Sequence, residues 1–180
     1  MRVIAGEWRG RKLLAPENDA TRPTADRTRE TLFSMLTSRV GSFEGLYVAD
    51  LFAGSGALGI EALSRGAAHA LFGEQDRDAL DALRQNLAAL GAAPRADVRA
   101  GSVLSLGPAR RSFDLLLFDA PYGTGAGSVA LDKLNRLGWI GANSWISVET
   151  GERESVDVAG FAIDAERRVG KAKLTLLRLA

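Results

Sequence analysis

Residues 50–59 read Asp50-Leu51-Phe52-Ala53-Gly54-Ser55-Gly56-Ala57-Leu58-Gly59. The glycines fall in G-x-G-x-x-G, the spacing of a turn that leads a buried strand into a helix and turns backbone amides toward a ligand. An acid closes the strand just before this turn, where a dinucleotide fingerprint calls for none. The Asp50 carboxylate would repel a pyrophosphate. It would suit a ligand with a positive end, such as a sulfonium or an ammonium. A structural Asp50, capping the next helix, competes with that reading.

Outward from this loop, strands and helices alternate. "LYVADLF" (46–52) is the first buried strand, and Leu58, Ala62 and Leu63 line the helix after the loop. "HALFGE" (69–74) is the second strand. Leu80, Leu83, Leu87 and Leu90 form one helical stripe behind an Asp76 cap, ended by Gly91. "ADVRAG" (96–101) is a third, more polar strand, expected near an edge. "FDLLLFD" (113–119) is a continuous apolar run, as expected of a parallel strand covered on both faces. A helix over 128–137 and a strand "WISVET" (145–150) follow. Residues 161–180 read as two strands joined at Gly170. The alternation predicts a doubly wound α/β sheet, mostly parallel, with one antiparallel strand from the C-terminal hairpin. Ahead of it, residues 2–16 read as a small hairpin with Gly10 in its turn. A helix follows from about Asp26, with Leu32, Met35, Leu36 and Val40 on one face. The expected organisation is one domain over 1–180: an N-terminal hairpin and helix, 1–40, on a Rossmann-like core, 41–180.

The composition, 46% hydrophobic and 25% charged, is that of an ordinary globular chain. The absence of cysteine excludes disulfides and thiolate zinc sites, and no metal is expected. No apolar run reaches the length of a signal or membrane-spanning segment, so a cytoplasmic protein without membrane contact is expected. The net charge of +1 hides a distribution. Residues 1–39 carry eight basic and five acidic groups, residues 166–180 five and one, and residues 40–165 ten and sixteen. If the two basic ends meet in space, they make a rim suited to phosphates.

In sheets of this kind the ligand lies beyond the carboxyl ends of the strands. Those ends carry Asp50, Glu74, Ser102 and Asp119-Ala120-Pro121-Tyr122. Glu74 stands where a carboxylate can accept hydrogen bonds from a ribose diol, a need shared by NAD and S-adenosylmethionine. "FDAPYGTG" (118–125) separates the two. The amine of a nucleobase is a poor nucleophile, because its lone pair is delocalised into the ring. Methylating it requires acceptors on its hydrogens, which the Asp119 carboxylate and Ala120 carbonyl can supply. Pro121 stiffens the turn and biases Ala120 to an extended conformation. Tyr122 offers a face for a flipped base.

Together these stretches resemble class I S-adenosylmethionine-dependent methyltransferases of the N-methylating type, whose fourth-strand motif is Asp/Asn-Pro-Pro-Tyr/Phe. More narrowly the chain resembles the RsmD family, which methylates N2 of a guanine in 16S ribosomal RNA. "RVIAGEWRGRKL", "TRPTADRTRETLFSML", "DLFAGSGALGIEALSRGA", "FGEQD", "RQNLAALG" and "FDAPYGTG" carry the likeness.

The resemblance implies S-adenosylmethionine as cofactor, held by Asp50, Phe52, Gly54, Ser55, Gly56, Glu74, Ser102, Val103 and Asp119. Thr24 and Arg27 are expected near its methionine end, and Asp119 to Tyr122 at the target amine. Two positions depart from the pattern. Ala120 replaces a proline, and Ser102 stands where an acid or amide often reads the adenine amine. Trp8, Arg9, Arg11, Lys12, Arg22 and Arg29 are the candidate contacts to RNA. A second reading of Trp8 is that it covers its own hairpin. The partner implied is 16S ribosomal RNA in an assembled or assembling small subunit, met by a monomer. The alternatives are methylation of DNA adenine or protein glutamine, an NAD-dependent oxidoreductase, and an inactive RNA-binding domain.

Overall fold

The computed structural model describes residues 1–16 and 23–180. Arg22 lies outside the described residues, as does the side chain of Thr24. Seven strands form one sheet: β1 (Tyr47–Leu51), β2 (His69–Glu74), β3 (Ala96–Ala100), β4 (Phe113–Phe118), β5 (Ile140–Gly151), β6 (Phe161–Val169) and β7 (Ala172–Leu179). Their order is β3-β2-β1-β4-β5-β7-β6. Strands β1 to β5 pair in parallel, and β7 runs antiparallel to both its neighbours. The polar third strand is indeed at an edge, and the C-terminal hairpin adds the one antiparallel strand.

The continuous apolar run in β4 has its cause in the two faces of the sheet. Leu115 and Leu117 join one buried cluster with α2 (Ala57–Ser64), α3 (Arg77–Ala89) and α1 (Pro23–Val40). Leu116 and Phe118 join the other with α4 (Ala126–Arg136). A strand with period-two side chains and both faces covered has no polar positions to spare. Strand β5 is longer than "WISVET". Its first residue pairs with Phe113 through an irregular register, and the Ser144 hydroxyl bridges that irregularity to the Phe113 carbonyl. Helix α1 starts at Pro23, three residues before Asp26. A proline costs nothing at the first helical position, because that N–H has no intrahelical partner. Asp76 caps α3 as expected, accepting from Ala79 N–H at 2.9 Å.

The two arms of the N-terminal hairpin meet at a single antiparallel bridge, Arg2 with Lys12. Other backbone groups bond across the hairpin, Leu14 bonds at both N–H and C=O to Asn86 of α3, and residues 4–8 bond to α2. Glu61, 1% exposed, accepts from Ile4 N–H at 2.9 Å and Ala5 N–H at 3.0 Å. It also pairs with Arg65 at 2.9 Å and faces the buried Arg29 at 3.8 Å. Ser64 Oγ accepts from Trp8 N–H at 3.0 Å and donates to Ala5 O at 2.6 Å. Val3, Trp8 and Leu13 thereby enter the core beside Ile60 and Leu63.

A buried acid with several partners is costly to remove, because its partners stay buried without it. Glu61→Ala should lower the unfolding free energy by roughly 3–5 kcal/mol, read from the urea midpoint at constant slope. A loss within 0.5 kcal/mol, the range of an ordinary surface substitution, would show that Glu61 does not anchor the N-terminal segment.

Candidate active site

Between β1 and β4 the strand order reverses, and the loops after these two strands diverge to leave a crevice. Phe52 opens the first loop at φ 62°, the one positive φ of a non-glycine among the described residues. Such a conformation persists only where the surroundings impose it, and it marks functional turns. Here Ala53 N–H is held by Gly73 O at 2.9 Å, and Gly54 N–H by Glu74 Oε1 at 2.8 Å. Behind the loop, a Cβ on Gly56 would stand 2.4 Å from Leu83, and one on Gly59 2.4 Å from Phe72. These two glycines let α2 lie close against α3 and β2. A Cβ on Gly54 would meet nothing within 4 Å, so this glycine faces open space.

Asp50 is 1% exposed and its Oδ2 accepts from Gly59 N–H at 2.9 Å, near the start of α2. It does not line the crevice. The expectation of a carboxylate set directly against a positive ligand is corrected: a buried acid needs a donor, and the nearest is the helix backbone. Burial first, and the charge of Glu74 second, push its carboxyl up to about 7 against that hydrogen bond. Glu74 is half-buried. Its Oε2 accepts from Gln75 N–H at 2.8 Å and Asp76 N–H at 2.7 Å. With Oε1 on Gly54, three of about four acceptor positions of the carboxylate are taken. One remains for a hydroxyl of a ribose diol.

The crevice holds about 680 Å³. The glycine loop contributes Phe52, Gly54 and Ser55, the loop after β4 Asp119 and Tyr122, and β5 Glu149. The two ends of the chain meet there. Met1, Ala15 and the first turns of α1 line one side, and the β6–β7 turn brings Lys171 to the same cavity. Asp119 N–H bonds to Leu51 O at 3.2 Å, which ties the two loops together. Asp119 and Pro121 are exposed, while Ala120 is buried. The Tyr122 hydroxyl donates to Glu149 Oε2 at 2.5 Å. Burial, then this bond, push the phenol pKa upward, so it stays a donor. Glu149 also hydrogen-bonds with Asp119, and burial raises its carboxyl pKa against both bonds. Two carboxyls in such contact hold one proton between them. Glu154 completes the loop by accepting from Gly123 N–H and Gly151 N–H, each at 2.5 Å.

Several expected site residues lie elsewhere. Ser102 caps a short 3-10 turn, accepting from Leu104 N–H at 3.2 Å, and Val103 is buried beside Gly73. Neither lines the crevice, nor does Arg27, although its neighbours Asp26 and Thr28 do, and Arg29 with them. Two assignments to an RNA surface are corrected. Trp8 is 7% exposed, in the core under Arg95, whose guanidinium lies 5.3 Å from the ring centroid. Arg29 is 5% exposed. It donates to Arg2 O at 2.5 Å and faces Asp26 and Glu61. Trp8 is drawn inward by burial of its ring beside Ile60 and Leu63, and Arg29 by the buried carboxylate of Glu61. Arg9, Arg11 and Lys12 are exposed, and Arg11 donates to Ala89 O at the end of α3. Glu149, Glu154 and Lys171 were missed. Glu149 ends a buried strand just as Glu74 and Asp119 do, so the same rule would have found it.

Residues 1–178 match the family model described as conserved hypothetical protein 95. Ribosomal RNA small subunit methyltransferase D of Escherichia coli K12 is 35% identical over 178 residues, which are 98% of this chain and 88% of that protein. The chain belongs to the RsmD family. The Haemophilus influenzae member is 38% identical over 154 residues, covering 83% of this chain and 78% of its own. Among solved structures, a candidate methyltransferase from Escherichia coli superposes with TM-score 0.85 at 36% identity, over 99% of this chain and 97% of that one. The sheet is that of class I methyltransferases. A magnesium protoporphyrin IX methyltransferase from Synechocystis, solved with S-adenosylmethionine, shares the RsmD-family fold at TM-score 0.68 and 15% identity, over 91% of this chain and 87% of that one.

The raised Asp50 carboxyl has a thermodynamic consequence. Between pH 3.8 and about 7 the unfolded chain ionises this acid while the folded chain keeps its proton. The folded state then binds more protons, so this group's contribution to stability falls as pH rises through that window and is flat above it. Asp50→Asn retains an acceptor for Gly59 and removes the titration. Its thermal midpoint, relative to the unsubstituted chain, should climb from pH 4 to pH 7 and then level off. A difference independent of pH would refute the raised carboxyl.

Proposed function

We propose that the chain transfers the methyl group of S-adenosylmethionine to N2 of a guanine in 16S ribosomal RNA of the small subunit. One observation carries this reading: the glycine loop and the Asp119–Tyr122 loop, distant in sequence, line one crevice with both strand ends tied together. The relatives named as small-subunit ribosomal RNA methyltransferases support the substrate class.

The residues present fit the cofactor. Gly54 faces open space, Phe52 and Ser55 border the crevice, and Glu74 keeps one acceptor position for a ribose hydroxyl. Gly56 shapes the loop from behind. Although Arg27, Ser102 and Val103 do not line the crevice, the family resemblance assigns Thr24 and Arg27 to the methionine end and Ser102 and Val103 to the adenine end. Asp50 acts through the loop and helix start that it braces. When bound, the cofactor supplies an electrophilic methyl group on a sulfonium.

The remaining work falls to the chain. Asp119 and the Ala120 carbonyl accept from the two amine hydrogens. This holds the nitrogen with its lone pair toward the methyl group. Pro121 stiffens that acceptor, and the exposed Tyr122 ring gives the base a surface to stack on. Holding nitrogen and methyl in line supplies a large part of the acceleration. The proton leaves the nitrogen after transfer, and the Asp119 carboxylate is the nearest acceptor. Arg9, Arg11 and Lys12 contact phosphates, which position an RNA without reading it. The chain acts as a monomer in the cytoplasm.

Calorimetric titration with S-adenosylmethionine, and separately with NAD, tests the cofactor; binding of NAD alone would overturn the reading. Asp119→Ala should abolish methyl transfer to small subunits while cofactor affinity changes little, and retained transfer would remove its role. Glu74→Ala should weaken cofactor binding by roughly tenfold or more, the worth of one hydrogen bond to a charged group. Reversing the charge of Arg9 and Arg11 together should weaken RNA binding and flatten its salt dependence. Equal affinity in both forms would take the hairpin off the RNA surface.

A further inference from the structure

The chemistry of the amine does not require the second acid in the crevice. Asp119 and the Ala120 carbonyl suffice for two amine hydrogens, yet Glu149 also borders the cavity, in hydrogen-bond contact with Asp119. Two carboxyls in contact resist joint ionisation, and such an arrangement is unfavourable unless something uses it. A ligand presenting two adjacent N–H donors would use it, because each carboxylate would then have its own donor. The edge of guanine has that pattern: N1–H stands directly beside the N2 amine. Adenine has a bare N1 lone pair beside its amine, which would face a carboxylate with no proton between them.

We propose that Glu149 is a specificity residue, accepting from N1–H of the target guanine while Asp119 accepts from its N2 amine. This rests on the guanine-N2 reading above. The Tyr122 hydroxyl donates to Oε2 of Glu149, and the N1–H of the base takes the place of the Asp119 contact. On binding, the proton shared by the two carboxyls passes to solvent, and the N1–H and N2–H donors take its place. Burial pushes the Glu149 carboxyl pKa upward, which favours sharing a proton with Asp119 when no such donor is present and limits the cost of an empty site. Discrimination then comes mainly from the base that is refused, since a lone pair set against a buried acceptor leaves both unpaired.

The test uses 2-aminopurine, which keeps the N2 amine and lacks the N1 hydrogen. The methylated position is first mapped on unmodified small subunits. Subunits are then reconstituted with guanine or 2-aminopurine at that position, and kcat/KM is measured for each. The unsubstituted chain should prefer guanine by roughly a hundredfold or more. Glu149→Gln keeps the shape and the acceptor for Tyr122, and its amide can donate to N1 of 2-aminopurine; the preference should narrow at least tenfold. Calorimetric cofactor binding confirms that this variant is folded. Tyr122→Phe keeps the carboxylate and should slow both bases alike.

If Glu149→Gln slows both bases by one factor, with the preference intact, the specificity role is refuted while the guanine-N2 reading stands. If Tyr122→Phe alone narrows the preference, the discrimination belongs to the tyrosine and the proposal fails. If the unsubstituted chain transfers nothing to guanine N2, the parent reading falls and this inference with it.

Discussion

The site depends on a sharp exit from β1. Phe52 is held at φ 62°, and two carboxylates close the turn on either side of it: Glu74 on Gly54 N–H and Asp50 on Gly59 N–H. Backbone donors at a helix start have no partner within the helix. Here an acid from the strand beneath supplies one of them, and an acid from the neighbouring strand closes the loop itself. Burial, and then the charge of the nearby Glu74, displace the Asp50 carboxyl upward. The strain and the charge are both stored next to the crevice, and the packing of Gly56 and Gly59 against Leu83 and Phe72 holds them in place.

A second group of contacts gives the crevice its outer wall. Glu61 and Ser64 on α2 capture the backbone of residues 4–8, and Arg29 reaches from α1 toward the same acid. The N-terminal segment is therefore bound to the helix that the glycine loop starts. Anything that shifts α2 moves the loop and the wall together. The β6–β7 turn closes the same cavity from the other end of the chain. Among the described residues, the basic groups that line this cavity are the buried Arg29 and the exposed Lys171.

The loop after β4 is braced by acids as well. Glu149 takes the Tyr122 hydroxyl, and Glu154 takes two backbone donors, so Asp119 is presented from a loop with few unpaired groups. Methyl transfer to a weak nucleophile gains most from fixed geometry. The exposed tyrosine ring and the exposed Asp119 lie on that braced loop, where a base drawn out of its stack would meet both.

Much of this was legible in the chain alone. Period-two apolar runs and period-3.6 stripes determined the strands and helices, because burial on a sheet face or a helix face leaves that mark directly. The spacing of Gly54, Gly56 and Gly59, and "FDAPYGTG" at the end of a buried strand, determined where the two loops with chemistry would lie. Only the tertiary structure decided which side chains face the crevice. Asp50 turned to a helix, Trp8 turned to the core, Arg29 in the crevice wall turned to the buried Glu61, and Glu149 arrived beside Asp119 from the end of the neighbouring strand. The reason is physical: a strand's periodicity records how much of it is buried. Which partner a polar group finds depends on distances between segments that are far apart in the chain.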